Sequence, residues 1–262
     1  MEKRIIARGL LVGALGGVLA FLFARIFVEP VIGRAIAYED GLGQLHEHGG
    51  HQHGVELFTR GVQANIGMGF GVLAFGVAMG ALFAVAYCVA YGRVGNISPP
   101  LLSVLLAGAM LLSLYVVPAL KYPANPPAVS LAETIHQRTM LYLLMVVVSA
   151  ALAVAAAWLG RRLAPRFGGA RAPLIAAGSY VVAVAIVMLV LPRIDETPGP
   201  VRDEAGAIIY PAFPADDLYE FRLYSLGTQL VLWATIGLVF APLAARLLSE
   251  RDGRRRAASI SA

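Results

Sequence analysis

Four of the chain's five histidines lie within eight residues, in the segment His46-Glu47-His48-Gly49-Gly50-His51-Gln52-His53. Neutral imidazole is a common protein ligand of zinc, copper, nickel and related ions. The two central glycines allow the segment to fold back, so that both histidine pairs converge and the Glu47 carboxylate adds an oxygen ligand. The alternative is a solvated polar loop, but one dense tract in a chain otherwise poor in histidine favours metal contact. We call residues 46–53 the histidine tract and predict that it binds a metal ion.

The fifth histidine is His136, which follows Glu133 with a spacing of three residues. On a helix this spacing places both side chains on one face. A carboxylate and an imidazole arranged in this way can hold a metal ion. An acid favoured by the helix dipole, next to an interfacial histidine, is the preferred explanation of the pair. Glu133 and His136 are therefore secondary candidate ligands.

The elements that must position these side chains are strongly apolar. The chain has 262 residues, mean hydropathy is +0.73, 58% of residues are hydrophobic and only 14% are charged. A hydrocarbon layer of about 30 Å requires roughly 20 apolar residues per crossing helix. The sequence predicts an all-α integral membrane protein, a single six-helix bundle over residues 1–262, with the histidine tract in an outer loop of residues 29–60. The predicted spans are 5–28, 66–90, 101–119, 140–159, 173–191 and 226–247.

The basic residues are distributed unevenly between the two sides of this bundle. Seven basic residues lie in the loops on the side of the bundle that carries the histidine tract, and Arg25 lies in the first span. The other thirteen are Lys3, Arg4, Arg8, Arg93, Arg161, Arg162, Arg166, Arg171, Arg246, Arg251, Arg254, Arg255 and Arg256. Cytoplasmic loops are enriched in Lys and Arg, so both termini are expected in the cytoplasm and the histidine tract outside, in a multi-pass protein of the bacterial inner membrane.

The three outer loops share a layout. Each first helix of a hairpin ends near a proline, and each loop carries an acid followed by an arginine. The acid and arginine pairs are Glu56/Arg60, Glu133/Arg138 and Glu220/Arg222. This layout is consistent with three parallel helical-hairpin repeats, a pattern known among transporters. The alternative is that every outer loop needs a helix breaker and interfacial charges.

Glycines recur at a four-residue spacing in the first two spans. The first span contains Gly9, Gly13 and Gly17, and the second contains Gly76 and Gly80, preceded by Gly67 and Gly71. Small residues at this spacing allow two membrane helices to approach closely. We interpret these positions as packing contacts.

Several functional classes have no support in the sequence. There is no phosphate-binding G-x-x-x-x-G-K-[ST] loop, no H-E-x-x-H motif and no Gly-x-Ser-x-Gly motif. No nucleophile–base pair is recognisable, so no catalytic residue and no resident cofactor is expected. The formal net charge of +5 follows from the topology bias and does not indicate a nucleic-acid partner.

The chain resembles the CbtA family of cobalt transporter subunits. The similarity extends over nearly all of it. The segments that carry it are RGLLVGALGG (8–17), the histidine-bearing first outer loop, KYPANPP (121–127), ETI and RT (133–135 and 138–139), LP followed by an acid–proline loop (from 191), and FRxxSLGxQ (221–229). KYPANPP and FRxxSLGxQ are the most specific of these.

The resemblance implies bacterial cobalt uptake linked to cobalamin supply. It also implies a small partner, CbtB, with one membrane helix and a histidine-rich end. We expect uptake of a divalent transition-metal ion, cobalt first and nickel or zinc as alternatives, with the histidine tract as the capture site. The alternative is a non-transporting membrane subunit that senses metal or assembles a larger complex.

Overall fold

The computed structural model of the chain describes residues 2–47, 59–95, 97–129 and 133–260, without the side chains of residues 46, 47 and 250–260. Three short π-helical segments, Ala24–Val28, Gln63–Gly67 and Leu112–Val116, continue directly into the helices that follow them. The helices and strands are α1 (Glu2–Phe23), α2 (Glu29–Glu47), α3 (Arg60–Val62), α4 (Met68–Ala90), α5 (Pro99–Leu111), α6 (Val117–Lys121), α7 (Ile135–Val190), β1 (Val201–Arg202), β2 (Ile208–Tyr210) and α8 (Ala215–Ile260).

Within the described ranges these elements join into five helices that are long and apolar enough to cross a membrane. They are Glu2–Leu45, Arg60–Ala90, Pro99–Lys121, Ile135–Val190 and Ala215–Ser249. The only strands among the described residues are β1 and β2, which form one short antiparallel pair. The prediction of an all-α membrane protein is confirmed at this level.

Helix α7 contains both the fourth and the fifth predicted spans, on either side of Gly168. That residue is not helical, with φ 81° and ψ 166°, a conformation that favours glycine because it lacks a Cβ. The Ser149 and Tyr180 hydroxyl oxygens lie 2.7 Å apart. A straight helix would separate these residues by about 46 Å, at 1.5 Å per residue. The chain therefore reverses direction at Gly168, and the two halves of α7 pack against each other.

The segment 29–47 differs from its prediction. It was expected within a loop after a helix that stops near Pro30, whereas the helix continues through Pro30 to Glu47. A proline inside a helix clashes with the carbonyl four residues earlier. The π-helical segment Ala24–Val28 ends two residues before Pro30 and widens the turn there. The segment Leu112–Val116 likewise ends two residues before Pro118. The widened turn explains how the helix passes the proline.

The described core has two parts within the apolar helices. Helices α1, α4, α5 and α8 share one cluster centred on Phe83, Tyr87, Trp233 and Phe240, all at most 2% exposed. The Ser103 hydroxyl also donates to the Gly237 carbonyl oxygen, which lies 2.8 Å away and joins α5 to α8. The α7 hairpin packs instead on α6 and the π-helical segment before it, in a second cluster. The hairpin is therefore attached mainly through one end of the third long helix.

A third cluster lies at the end of the bundle formed by residues 29–47, 122–129 and 192–214, which we call the loop end. Tyr38 and Phe213 meet there edge to face, with ring centroids 5.1 Å apart. The Tyr38 hydroxyl donates to the Pro211 carbonyl oxygen, and the Tyr210 hydroxyl donates to the Tyr38 carbonyl oxygen. The three connecting segments therefore form one packed unit, with α2 as its longest element.

Candidate metal site and the loop end of the bundle

The histidine tract begins at the C-terminal end of α2. His46 and Glu47 are the last two residues of α2, and the structure describes their backbone only. His48, His51 and His53 lie outside the described residues. Helix α2 carries residue 47 about 27 Å along its axis from residue 29, at 1.5 Å per residue. The metal site in the histidine tract stays a prediction.

The secondary candidates are described and are both exposed. Glu133 lies in a turn just before α7, and His136 lies in the first turn of that helix. Among the residues that the structure describes, no three His, Cys, Asp or Glu side chains come close enough together to hold a metal ion. Glu133 and His136 therefore stay a candidate pair of ligands.

Sequence reasoning did not single out Glu196, which is the centre of a buried polar network. Its side chain is 1% exposed. It forms an ion pair with Arg138, with 3.2 Å between Nη1 and Oε2, and accepts hydrogen bonds from Thr134 Oγ1 and from Asn125 Nδ2 at 3.0 Å. Three bonding partners stabilise a carboxylate that would be costly to bury alone. We call Asn125, Thr134, Arg138, Glu196 and Arg222 the Glu196 network.

Two arginines connect this network to the KYPANPP segment. Arg138 donates to the Pro123 carbonyl oxygen. Arg222 donates from Nη2 to Asn125 Oδ1 at 3.1 Å and from Nε to the Ala124 carbonyl oxygen at 3.3 Å. The network therefore joins the second connection (residues 122–129), the third connection (residues 192–214) and the starts of α7 and α8. Several of the segments that carry the family resemblance meet in this network. Their presence in the sequence is the signal that could have indicated the site.

One arginine at the loop end pairs with acids outside its own connection, and another pairs within the first connection, across residues 29–60. Arg34 on α2 binds Asp217 at 2.5 Å and also Glu220, both at the start of α8. Arg60 binds Glu29 at 2.6 Å between Nη2 and Oε1. In the sequence, Glu220 was grouped with the arginine two positions later, whereas in space its described partner is Arg34. Asp217 and Glu220 therefore already have an arginine partner.

A cavity of about 270 Å³ lies beside the Glu196 network. Its wall contains Tyr115, Tyr122 and Tyr142 together with Thr139, and its one charged lining residue is Arg138. The Tyr122 hydroxyl donates to the Pro192 carbonyl oxygen at 2.9 Å. Burial raises the pKa of Tyr122, so the phenol stays protonated and remains a hydrogen-bond donor. The cavity offers hydroxyl oxygens beside an arginine whose charge Glu196 balances.

Polar residues inside the apolar spans bond to neighbouring backbone and helices. Arg25 Nε donates to Asn65 Oδ1 at 2.9 Å, and Asn65 Nδ2 donates to the Gly61 carbonyl oxygen at 2.8 Å. Thr228 Oγ1 donates to the Tyr224 carbonyl oxygen one turn earlier. The Arg25–Asn65 contact therefore joins two helices, whereas the bonds from Asn65 Nδ2 and Thr228 Oγ1 stay within their own helices.

The comparison with protein families supplies the deciding observation. The family model described as "Probable cobalt transporter subunit (CbtA)" matches residues 2–245, from the start of α1 almost to the end of the apolar part of α8. The chain belongs to the CbtA family. The predicted resemblance is confirmed, and with it a membrane protein of cobalt transport. No curated protein and no solved structure matches the chain.

Proposed function

We propose that this CbtA chain takes up a divalent transition-metal ion, cobalt first, across the cytoplasmic membrane. The observation that carries the proposal is the family match over residues 2–245, which covers four of the five described apolar helices and nearly all of the fifth. Nickel and zinc are the alternative ions, because imidazole also binds them well and selectivity depends on geometry and supply. The metal is cargo, and no resident cofactor or catalytic residue is part of the proposal.

The proposed topology has six crossings in three hairpins. The reversal at Gly168 divides α7 into two packed halves, each of at least 22 residues and long enough for one crossing. A π-helical segment before a proline recurs in the first and third crossings, at Pro30 and Pro118. This recurrence supports parallel hairpin repeats. The arginine excess then favours both termini in the cytoplasm of the cell inner membrane.

Cysteine labelling tests this topology. In a Cys88→Ser background, we expect single cysteines at Gly169 and at Ala205 to react with an impermeant maleimide from opposite sides of the membrane. Both positions lie outside the packed clusters, and neither is close to another element that a small side chain would displace. Reaction of both cysteines from the same side would contradict six crossings.

The proposed capture site is the histidine tract, with Glu47 as an additional ligand and Glu133 and His136 as secondary ones. The tract starts at the last two residues of α2, His46 and Glu47, and in this proposal it binds ions before they reach the bundle. An ion released from the tract would next meet the loop end, where Glu29, Asp217 and Glu220 are paired with arginines. Because arginines balance these carboxylates, the proposed capture depends on the imidazoles of the tract and not on these acids.

Replacing His46, His48, His51 and His53 together with alanine should lower cobalt uptake at limiting metal by at least about tenfold, since the imidazole ligands are removed. Uptake of radiolabelled cobalt into cells that express each variant measures the effect. His136→Ala is the comparison variant, because it removes the one histidine outside the tract, a secondary candidate ligand, and we expect a smaller loss. Equal uptake by the fourfold variant and the unchanged chain would exclude the capture role.

Reconstitution separates transport from the alternative function. The purified chain in liposomes that contain a metal-sensitive dye should accumulate Co²⁺ if it transports alone. Binding without accumulation would favour the non-transporting subunit that senses metal or assembles a complex, or a requirement for the CbtB-like partner. Adding that partner to the same liposomes distinguishes these two cases, because only the second predicts restored accumulation.

A further inference from the structure

An apolar cleft of about 610 Å³ opens between α5 and the α7 hairpin. The hairpin packs on the third long helix near the loop end and separates from α5 towards the opposite end. The walls of the cleft are formed by small and aliphatic side chains, among them Leu105, Ala109, Ala157 and Ala177. Leu105 is 52% exposed, so the cleft is accessible from the lipid phase that surrounds an apolar helix of this length.

One charged residue, Arg161, lines this cleft. Three more arginines follow within ten residues: Arg162, Arg166 and Arg171. We call residues 161–171 the arginine end. Among the described side chains, no carboxylate forms an ion pair with any of these four arginines. The cleft therefore combines an apolar interior with a positive charge at its mouth that no described carboxylate pairs with.

The neighbouring residues indicate the depth of this mouth. The Arg162 guanidinium carbon lies 5.2 Å from the centre of the Trp158 ring, and that of Arg166 lies 5.4 Å from the centre of the Phe167 ring. Tryptophan is enriched where the apolar core of a membrane meets the headgroups, and arginine extends towards the same layer. Arg161 is then at the height of lipid phosphates, while the alanine walls are at the height of acyl chains.

We propose that the cleft binds an anionic phospholipid, with its acyl chains between α5 and the α7 hairpin and its phosphate on Arg161. Basic pockets between membrane helices bind anionic headgroups in this manner. A second copy of the chain, or a partner helix, would fill the small-residue walls equally well. Either would leave the Arg161 charge unbalanced unless it carried an acid at the same depth, and the lipid phosphate supplies that charge directly. The proposal does not depend on the direction of metal transport.

Native mass spectrometry of the full chain, released from detergent with phosphatidylglycerol or phosphatidylcholine of equal acyl length, tests the proposal. We expect phosphatidylglycerol to be retained in preference. Arg161→Gln should lower its retention about fivefold, which corresponds to the loss of one arginine beside an anionic headgroup. Arg162→Gln is the matched control, because it removes the same charge at the adjacent position, outside the cleft, and should have a smaller effect.

A second pair of variants tests the cleft itself. Ala157→Phe and Ala177→Phe fill it from opposite halves of the hairpin, and both should reduce the binding of phosphatidylglycerol while thermal unfolding confirms that at least one of them is folded. Equal losses in Arg161→Gln and Arg162→Gln would overturn the proposal in favour of non-specific charge attraction. Unchanged binding in a folded cleft-filling variant would also overturn it. Dimers of the unchanged chain that disappear in these variants would identify a second copy as the occupant instead.

Discussion

Gly80→Ala should destabilise the helix bundle by about 3 kcal/mol or more, at or above the upper end of the usual cost of overpacking. A Cβ at this position would lie 2.2 Å from the Gly9 carbonyl oxygen and 2.6 Å from the Gly13 Cα atom. Both are backbone atoms of α1, so no side chain can rotate away. The added methyl group can be accommodated only if α1 and α4 separate, which would also disturb the packing of α8 on α1.

Gly71→Ala is the matched control for this prediction. It lies on the same helix, nine residues before Gly80, and nothing lies within 4 Å of an added Cβ. Alanine stabilises a helix interior relative to glycine by up to about 1 kcal/mol, so this variant should be neutral or slightly more stable. Thermal unfolding in detergent, followed by size-exclusion chromatography, measures both variants. Similar melting temperatures for the two would show that α1 and α4 are not in backbone contact.

Gly80 and Gly71 also show which helix contacts the sequence can predict and which it cannot. The four-residue spacing correctly indicated close helix contacts, because small residues on one face serve little other purpose. It did not distinguish Gly76 and Gly80, which face α1, from Gly71, which faces open space. That difference depends on the rotation of α4 about its axis, which is determined by packing against the other helices and is not encoded in the spacing of the glycines.

The helical structure of the long apolar segments was also predictable from the sequence. A lipid-exposed backbone must satisfy its own hydrogen bonds, so long apolar segments are helical whatever their neighbours are. The end of the first helix was not predictable in this way. The sequence predicted that the helix ends near Pro30, yet the π-helical segment Ala24–Val28 lets it continue to Glu47. Proline position alone does not reveal whether such a widened turn precedes it.

The ion pairs at the loop end were the least predictable feature. Sequence reasoning grouped acids with arginines that follow them closely in the same loop, as in Glu133 with Arg138. The structure pairs Arg138 with Glu196, which is 58 positions later. The ion-pair partners depend on how the three connections pack together. This packing could not be predicted from the single sequence. The motifs shared with the family indicated where to look but not which contacts form.

Glu196→Leu should be the most damaging single change at the loop end, with a loss of about 3–5 kcal/mol, the usual cost of removing one partner of a buried ion pair. Arg138, with a side chain only 17% exposed, would lose its counter-charge. Thr134 Oγ1 and Asn125 Nδ2 would lose an acceptor at the same time. Arg222 is held in the same network through Asn125, so the attachment of α8 to the second connection should also weaken.

Three further variants distinguish this mechanism from general damage to a loop. Glu204→Leu makes the same substitution at an exposed position of the third connection and should change stability by no more than about 0.5 kcal/mol. Glu196→Gln keeps an acceptor oxygen, so its loss of stability should lie between those of Glu196→Leu and Glu204→Leu. The double variant Glu196→Leu/Arg138→Leu should recover part of the loss, because replacing both partners of a buried pair with apolar side chains costs less than leaving one charge alone. Denaturation midpoints measured on the full chain test the series. A double variant less stable than Glu196→Leu would show that Arg138 acts mainly through the Pro123 carbonyl oxygen, and that the ion pair with Glu196 is not what holds the two connections together.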